Sequence, residues 1–480
     1  MSRSSRRQFL KTSLAAAGAA GVATFAGTRA SAKARGANDA IRVGIAGLNG
    51  RGDSHLKGFA EIPGVEITYL IDPDQKVLER RVKEVESLTG RKPQAIQDVR
   101  KALDDKELDV ITVATPNHWH SLIAIWGCQA GKDVYVEKPC SHNVHEGRIA
   151  VETARKYNRI VQHGTQSRSD SDWAGAVDFV RSGKAGKLQV ARGLVYKPRP
   201  SIGFKKPEAP PDYLDFNLWL GPAPEQPFHR NLVHYNWHWF WDTGNGDIGN
   251  QGVHQMDIAR WGIDGATFPK SVIGLGGRFG YEDQGQTANT QIAVFDYGDA
   301  QLIFEVRGLP TDNFPRTGHG SDNVFHCEGG LVTRKQFYPK GSDQPEPIPS
   351  APIGPGKNHF ANFISAVRSR NQSELNADIL EGHYSSALCH LANISYRLGE
   401  KAPFNPQTKA FGDNKEAYET LARMEQHLTR NGLKLDETDY LLGRKLTFDA
   451  QKELFAGDEQ ANRMLTRNYR APFVVPEKVA

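Results

Sequence analysis

The 480-residue sequence predicts an α/β protein in which a mostly parallel sheet is followed by an α+β domain with an open, largely antiparallel sheet. Between residues 40 and 161, apolar strand-like segments alternate with helical ones, which is typical of parallel strands joined by crossover helices. After Thr165 the pattern changes. Leu302, Phe304 and Val306 then alternate with their neighbours, as residues on the buried face of an antiparallel strand do.

Each element of this scheme follows from a local pattern of apolar residues. In the first domain we expect strands at 41–46, 65–71, 110–114, 134–137 and 159–163, and helices at 54–61, 75–88, 120–130 and 142–157. In the second we expect strands at 189–195, 271–275, 290–295, 302–306 and 324–327, with surface loops rich in proline and glycine at 196–224 and 339–356. The final residues are expected to be helical at 416–430 and 448–455 and extended from 470 to 480. The domain bounds are then 38–164 and 165–410, with a tail at 411–480.

Residues 1–32 predict a signal peptide of the twin-arginine type. Arg6 and Arg7 precede a weakly apolar run over 13–27, and Ala30-Ser31-Ala32 offers a cleavage site made of small residues. The run is too short for a stable membrane anchor, because about 30 Å of hydrocarbon must be spanned. We therefore expect the twin-arginine export machinery as a partner, a periplasmic location and no stable membrane insertion. A basic tail without a signal function is the alternative.

The charge balance of the chain argues against two classes of partner. The full sequence has a net charge of +5, and the predicted signal contains five basic residues and no acidic one. The mature chain is therefore neutral and has no bulk electrostatic attraction to nucleic acid or to anionic membranes.

The histidines and cysteines do not predict a metal site. The pairs His118/His120 and His234/His238 lack carboxylate or thiolate partners at ligand spacing. The cysteines also lack such spacing, and the first two are expected to be buried thiols. They are Cys128, Cys140, Cys327 and Cys389.

A glycine-rich turn follows the first strand and predicts a dinucleotide site. The strand runs into Gly47-Leu48-Asn49-Gly50-Arg51-Gly52, where a helix begins. Glycines permit a tight turn and close backbone approach, so a pyrophosphate can lie at the helix N-terminus. Asn49 stands where a second glycine is usual, and the adjacent Gly50 could supply the same freedom. A glycine-rich turn without a cofactor is the structural alternative.

Asp72 closes the second strand and favours NAD over NADP. It lies 20 residues after Gly52, where a carboxylate accepts hydrogen bonds from both hydroxyls of the adenosine ribose and would repel a 2′-phosphate. No arginine follows at 73–75 to bind that phosphate. NAD is therefore the expected cofactor.

Two further segments, 114–120 and 136–139, end buried strands at the sheet edge where dinucleotides lie. The second segment would place an ammonium group near the nicotinamide. The residues of these segments that we expect to bind the cofactor are Thr115, Pro116, Asn117, His120, Glu137 and Lys138.

Together with Gly246-Asp247-Ile248-Gly249-Asn250-Gln251-Gly252-Val253-His254-Gln255-Met256-Asp257, these segments resemble the Gfo/Idh/MocA family, in particular its twin-arginine-exported members. The family includes glucose–fructose oxidoreductase and inositol dehydrogenase. Glu137-Lys138-Pro139 is the most specific part of the resemblance, and 358–363 is similar to the family's late helix. The resemblance covers nearly all of the mature chain and implies a Rossmann domain followed by a substrate and oligomerisation domain.

The resemblance also implies roles for three residues. Lys138 matches the family's catalytic lysine, and a cation there would stabilise developing alkoxide charge. His254 matches the histidine that takes the hydroxyl proton, and imidazole titrates near working pH. Asn250 stands where the family has aspartate, so it can orient hydroxyls but cannot accept a proton; Asp247 or Asp257 could substitute. A core histidine and a surface lysine are the structural alternatives.

An aromatic segment predicts a carbohydrate ligand. Residues 235–241 are mostly aromatic, and flat faces such as those of Trp237 and Trp239 suit sugar rings. Gln166 and Arg168 follow the last strand of the first domain and could donate hydrogen bonds to a polyhydroxylated substrate. An aromatic plug between the domains and a hinge after the last strand are the alternatives.

The sequence thus predicts an NAD-dependent oxidoreductase that acts on a hydroxyl or keto group of a sugar or glycoside. Export argues for a tightly bound cofactor that is recycled in place, because free NAD is not expected to be plentiful outside the cytoplasm. Two alternatives stay open: glycoside cleavage through transient oxidation of the sugar, and a sensor that binds cofactor and ligand without turnover. A homo-oligomer is expected.

Overall fold

The computed structural model describes residues 40–318 and 320–479 of the chain. The predicted signal peptide, 1–32, lies outside the described residues. Within the described residues, no helix is both long enough and apolar enough to cross a membrane.

The first domain is a parallel sheet with a hydrophobic core on each face. Its strands are β1 Ile41–Ala46, β2 Val65–Ile71, β3 Gln94–Ile96, β4 Val110–Val113, β5 Asp133–Val136 and β6 Val161–His163. Its helices are α1 Gly52–Ala60, α2 Gln75–Thr89, α3 Val99–Leu103, α4 Asn117–Gln129 and α5 Val144–Lys156. The strand order is β3-β2-β1-β4-β5-β6, and every neighbouring pair is parallel. The predicted Rossmann fold is confirmed, with boundaries that differ by a few residues.

Two short elements of this domain, β3 and α3, are absent from the sequence-based scheme. β3 has three residues and none of them is buried, so no apolar pattern marks it. α3 has five residues and begins at the cap Asp98, whose side chain accepts from the Arg100 backbone N–H. Elements of this length are too short to show helical or strand periodicity.

The second domain contains a twelve-stranded mixed sheet. Its strands are β7 Leu188–Tyr196, β8 Ser271–Gly277, β9 Thr290–Asp296, β10 Gln301–Arg307, β11 Ser321–Cys327, β12 Gly330–Val332, β13 Gln336–Pro339, β14 Glu346–Pro347, β15 Glu400–Pro403, β16 Asp439–Leu442, β17 Leu446–Asp449 and β18 Leu454–Phe455. The order is β14-β13-β12-β11-β7-β10-β9-β8-β16-β15, and β17 pairs with both β8 and β18. Only β7 and β10 pair in parallel among the described strands of this sheet, so the predicted antiparallel character is confirmed.

Helices cover both faces of this sheet. The described α-helices after β6 are α6 Ser171–Arg181, α7 Phe216–Leu220, α8 Gly246–Asn250, α9 Gly252–Gly262, α10 His359–Ser369, α11 Ile379–Arg397, α12 Lys415–Arg430 and α13 Glu459–Arg463, and not all of them contact the sheet. α9 and α11 bury one face in the largest core cluster. α12 covers the other face with Leu421, Met424 and Leu428. α10 instead packs on the first domain, where Phe363 joins the core beneath α1.

The tail at 411–480 belongs to both domains, although the sequence suggests a separate segment. Its strands β16 and β17 pair with β8 of the second sheet. The helix predicted at 448–455 is wrong, because these residues form parts of β17 and β18 and bury Phe448 against Phe455, with ring centroids 5.2 Å apart. Farther on, Phe473 and Val475 join the core of the first domain.

The four cysteines are free and buried, as expected for the first two. Burial raises the pKa of Cys140 to about 11, so this thiol stays protonated at neutral pH.

Candidate functional site

A cleft follows the carboxyl ends of β1, β4 and β5, where the first domain meets the second. Open parallel sheets bind dinucleotides at this edge. The sequence-predicted residues that line the cleft are Gly47, Leu48, Asn49, Gly50, Arg51, Asp72, Thr115, Pro116, Asn117, His120, Glu137, Lys138, Trp237 and Asn250. Most of the predicted cofactor residues are therefore brought together.

The glycine turn has the shape that a dinucleotide requires. Gly47 has a φ of 84°, and a Cβ there would lie 2.5 Å from the backbone of Ala114. A Cβ at Gly52 would lie 2.0 Å from the oxygen of Gly47, whereas one at Gly50 would meet nothing within 4 Å. α1 begins without a side-chain cap, and its Asp53 and Ser54 N–H groups donate to the backbone oxygens of Gly50 and Arg51 at 3.0 Å. A close-packed turn with open space above it, at the positive end of a helix, fits the pyrophosphate of NAD.

Asp72 lies at the end of β2 and faces this turn. Its Oδ2 accepts from the Leu48 N–H at 2.9 Å, and its Oδ1 accepts from the Asp74 N–H at 3.0 Å. Burial raises the pKa of Asp72 to about 6, although these two hydrogen bonds oppose the shift. Each carboxylate oxygen keeps a second lone pair, which suits a ribose hydroxyl.

Glu137, at the end of β5, holds a buried polar network together beneath the turn. Its Oε1 accepts from Arg51 Nε at 2.7 Å and lies 3.1 Å from His55 Nε2. The other ring nitrogen of His55 lies 2.9 Å from Thr112 Oγ1. Burial alone would raise the pKa of Glu137, but the hydrogen bond with His55 and the charge of Arg51 hold it well below its usual value. The ionised carboxylate thereby fixes the glycine turn to the strand end that carries Lys138.

Lys138 reaches across the cleft to the second domain. Its Nζ donates to the backbone oxygen of Asn250 at 2.8 Å and lies 3.5 Å from Oδ1 of the same residue. Burial lowers the pKa of Lys138, and the charge of Glu137 opposes the shift. The structure thus joins the predicted lysine to the predicted asparagine where β5 and α8 end.

His254 lies on α9, four residues after Asn250, and is not among the residues that line the cleft. Its Nδ1 is buried and has no hydrogen-bond partner among the described residues. Burial, and next the charge of Lys138, lower the pKa of His254 to about 3. The imidazole is therefore neutral at neutral pH, as a proton acceptor must be. It also lies close enough to Lys138 for the two groups to interact electrostatically.

The two aspartates considered as alternative proton acceptors are held in ion pairs. Asp247 accepts from Arg199 Nη2 at 2.7 Å and from its Nε at 2.8 Å. Asp257 accepts from Arg168 at 2.8 and 2.9 Å. Burial alone would raise the pKa of Asp257, but Arg168 lowers it to about 2. These bidentate pairs leave neither carboxylate free to take a substrate proton, so both alternatives lose support.

The same geometry removes Arg168 from the substrate role that the sequence suggests. Its guanidinium is buried between Asp257 and Glu381, with Nη2 lying 3.1 Å from Glu381 Oε2. It also lies over the ring of Trp261, at 4.9 Å from the centroid. Arg168 therefore joins α9 and α11 to the start of the second domain.

The other predicted substrate residues divide between the cleft and its support. Trp237 lines the cleft and stacks on His238, with ring centroids 3.6 Å apart. Trp239 is buried behind it, with the guanidinium of Arg199 at 5.4 Å from its ring. Gln166, in the amide orientation that satisfies both polar atoms, accepts from Arg51 Nη2 at 2.8 Å. Trp239 and Gln166 are not among the cleft-lining residues.

His120 has both ring nitrogens against backbone oxygens. Nδ1 lies 2.6 Å from the oxygen of Pro139, and Nε2 lies 2.7 Å from that of Thr115. Its ring therefore ties the two cofactor segments together. It lines the cleft as predicted, but its nitrogens serve the protein backbone.

Residues 213–222, which we call the cover segment, close one side of the cleft. Their proline- and glycine-rich surroundings predict a surface loop, but Leu214, Trp219 and Leu220 are buried. Leu214 forms an antiparallel bridge with Asp74, and Trp119 Nε1 donates to the oxygen of Leu218 at 3.0 Å. The segment is thereby attached to both α2 and α4.

Several cleft-lining residues of the second domain are not predicted as site residues: Leu218, Trp219, His234, Tyr235 and His238. The last three lie in or beside the aromatic segment that the sequence analysis singles out. His234 Nε2 lies 3.0 Å from Asp74 Oδ2, so this segment also touches the end of β2. The apolar run within α7 is the only local signal for the first two.

Two segments of the chain match family models. Residues 41–165 match the Gfo/Idh/MocA model described as an oxidoreductase family, NAD-binding Rossmann fold. Residues 202–273 match the companion model, described as an oxidoreductase family, C-terminal alpha/beta domain. The predicted NAD cofactor is confirmed: the first domain is an NAD-binding Rossmann domain.

Among curated relatives, a glycosyl hydrolase family 109 protein from Shewanella pealeana is 30% identical over 154 residues, which are 31% of this chain and 34% of that protein. The chain thus spans about a third of the length of the curated relatives it matches.

Solved structures share the fold over a longer stretch. The WlbA dehydrogenase from Bordetella pertussis, in complex with NADH and UDP-GlcNAcA, has a TM-score of 0.53 at 19% identity, over 74% of this chain and 96% of that one. A levoglucosan dehydrogenase in complex with NADH has a TM-score of 0.54 at 16% identity, over 74% of this chain and 97% of that one. At these identities the likeness concerns the fold alone. The sequence similarity to the Gfo/Idh/MocA oxidoreductase family is therefore carried by residues 41–165 and 202–273, which match its two models.

Proposed function

We propose that this protein is an NAD-dependent oxidoreductase that acts on a hydroxyl or keto group of a sugar or glycoside, with NAD held tightly and recycled in place. The contact between Lys138 and Asn250 carries the proposal. It sets an ammonium group and a polar amide from opposite domains at the end of a dinucleotide cleft. A domain that only binds nucleotide needs neither group.

The residues at this junction supply the polar chemistry of alcohol oxidation. Bound NAD supplies the hydride acceptor. An ammonium group has three donors, so Lys138 can donate to Asn250 and to a substrate oxygen at once, and its charge stabilises an alkoxide. The neutral imidazole of His254 accepts the hydroxyl proton. The amide of Asn250 orients neighbouring hydroxyls.

Analysis of the bound nucleotide tests the proposal most directly. The purified protein is denatured, and the released nucleotide is identified by mass spectrometry. Intact protein is then offered a panel of sugars and glycosides while absorbance at the NADH maximum is recorded. We expect NAD in near-equal amount to protein, and its reduction by at least one sugar. Release of no nucleotide would contradict the retained cofactor, and bound NAD that no sugar reduces would favour the sensor.

Glycoside cleavage through transient oxidation is a second candidate. It is favoured by the similarity between this chain and a glycosyl hydrolase family 109 protein. Product analysis separates the two reactions: net oxidation yields an oxidised sugar, whereas cleavage yields a free sugar and its leaving group without net reduction of NAD.

We also propose that the precursor is exported to the periplasm by the twin-arginine route. Arg6 and Arg7, the apolar run after them and the small-residue cleavage site support this. Arg6→Lys combined with Arg7→Lys should leave the precursor in the cytoplasm, while Arg29→Lys in the same segment should not. Mature protein in the periplasm at wild-type level in the double variant would contradict the route.

A further inference from the structure

The ammonium of Lys138 lacks a carboxylate partner of its own. Among the described residues, it donates to the backbone oxygen of Asn250 and lies near the amide oxygen of the same residue, and both are neutral. An aspartate at this position, as in the family that the sequence resembles, would neutralise the charge. A half-buried cation without a counter-charge is unfavourable, so the site favours a ligand that brings a negative charge.

The two carboxylates whose charges act most strongly on Lys138 are each paired with an arginine. Glu137 is paired with Arg51 at 2.7 Å, and Asp247 is held by both nitrogens of Arg199. The charges of Glu137 and Asp247 act on Lys138, but each is compensated by its own guanidinium. Neither carboxylate is free to compensate the ammonium.

A further cation lies nearby, whereas the histidines add no charge. The exposed Lys197 repels Lys138 electrostatically. Burial lowers the pKa of both His238 and His254 to about 3. The charge of Lys138 adds to this shift in both, and a hydrogen bond with the Tyr235 backbone oxygen opposes it in His238, so both rings are neutral at neutral pH. Four cations therefore face two carboxylates, which leaves an excess of two positive charges: Lys138, Lys197, Arg51 and Arg199 against Glu137 and Asp247.

We propose that the substrate is a sugar with an anionic group close to the reacting hydroxyl, and that Asn250 sets this preference. The inference rests on the proposed function, because it assigns a substrate class to the same site. The anionic group would take the place of the missing aspartate beside Lys138. An aspartate at 250 would both neutralise the lysine and repel the substrate. A carboxylate in a uronate and a phosphate ester share the required chemistry.

Matched sugars test the preference in the purified protein with its cofactor. Glucose, glucuronate and glucose 6-phosphate are compared, and likewise galactose, galacturonate and galactose 6-phosphate, with reduction of bound NAD as one readout. Equilibrium dialysis of the same labelled sugars is the second readout and needs no turnover. We expect kcat/KM and affinity to be roughly tenfold or more higher for an anionic member of each set, and this advantage to fall with added salt. The uronate and phosphate arms show which anion the site takes.

Two substitutions at one position separate charge from shape. Asn250→Asp should reduce the anionic preference by roughly 10- to 100-fold. Asn250→Ala also removes the amide but adds no charge, so it should keep the preference even where turnover falls. Lys197→Gln should reduce the preference by a smaller factor, because Lys197 is exposed and screened.

The outcomes distinguish this inference from the proposed function. Neutral sugars that reduce NAD as well as their anionic counterparts would overturn the inference and leave the function standing. Preferential binding of anionic sugars without any reduction of NAD, lost in Asn250→Asp, would support the inference and count against the oxidoreductase. An equal preference in wild type and Asn250→Asp would overturn the role of Asn250.

Discussion

The first domain and the C-terminal tail are ordered by different kinds of contact. Strands β1 and β2 of the first domain lie where periodic apolar residues predict them, at Ile41–Ala46 and Val65–Ile71. Beyond α12, which forms at Lys415–Arg430 where a helix is predicted, the tail has no such pattern. Its strands β17 and β18 have four and two residues, and it is fixed by distant partners, such as Asn143, which donates to the hydroxyl of Tyr469 at 3.3 Å.

The difference shows how the site is divided between local and distant parts of the sequence. The first domain supplies the cofactor cleft, and the tail holds the cover segment over it. Arg470 donates to the oxygen of Gly221 at 3.1 Å and to Oδ1 and the backbone oxygen of Asn217 at 2.5 and 2.7 Å. Arg467 donates to the oxygen of Pro222 at 3.1 Å. The first-domain side of the cleft thus follows from local sequence patterns, whereas the cover segment is held in place by residues near the end of the chain.

The largest effect is expected where the two domains meet. Lys138→Ala or His254→Ala should lower turnover by roughly 10²–10⁴, because alkoxide stabilisation or proton transfer is lost. Bound NAD should be retained, since neither residue belongs to the glycine turn, and the double variant should lose little more than the worse single one. Single-turnover reduction and nucleotide content are measured together. Near-normal turnover in His254→Ala would instead favour His238, which lines the cleft, because Asp247 and Asp257 are held in ion pairs.

Removal of the Phe473 ring, which anchors the tail to the first domain, should weaken the docking of the tail. Phe473 is 1% exposed and its ring lies 5.3 Å from that of Trp119. Phe473→Ala should cost roughly 3–5 kcal/mol of the free energy that keeps the tail docked, because a large buried ring leaves a cavity. Hydrogen exchange and limited proteolysis of the tail measure this. Val474→Ala, at a position 46% exposed, is the control, and equal protection in both variants would mean that the tail is ordered independently.

The sequence predicts the parts of the site that lie within one repeating unit of strand, turn and helix. Asp72 and the glycine turn are found this way, because a parallel sheet fixes where its strands end. Trp219 is missed because its burial depends on α4, about 100 positions earlier in the chain. Arg168 is misjudged for the converse reason: its partner Asp257 lies on a helix whose position the local pattern does not give.

Substitution of Asp72 should give an intermediate effect that is confined to the first domain. Asp72→Ala should weaken NAD binding by roughly 1–3 kcal/mol, because two ribose hydroxyls lose a charged acceptor. NADP should gain relative to NAD, since the repulsion of a 2′-phosphate is removed. Asp72→Asn is the matched variant, because it keeps one acceptor for the turn and removes the charge. Dissociation constants for both nucleotides give the measurement, and unchanged selectivity in both variants would show that Asp72 does not bind the ribose.

The smallest effect is expected where the tail meets the cover segment, and it should appear in the rate of nucleotide release. Arg470→Gln removes hydrogen bonds to Asn217 and Gly221 that are partly exposed, so a loss of about 1 kcal/mol is expected. This corresponds to roughly fivefold faster release of bound NADH, followed by the change in its fluorescence after a chase with excess NAD. Arg463→Gln is the control, because Arg463 is an exposed arginine on α13 of the same tail. If the cover segment opens independently of the tail, NADH should dissociate from both variants at the same rate. If only Arg470→Gln is faster, a residue near the end of the chain controls access to a cleft whose first-domain residues, such as Lys138, lie more than 300 positions earlier.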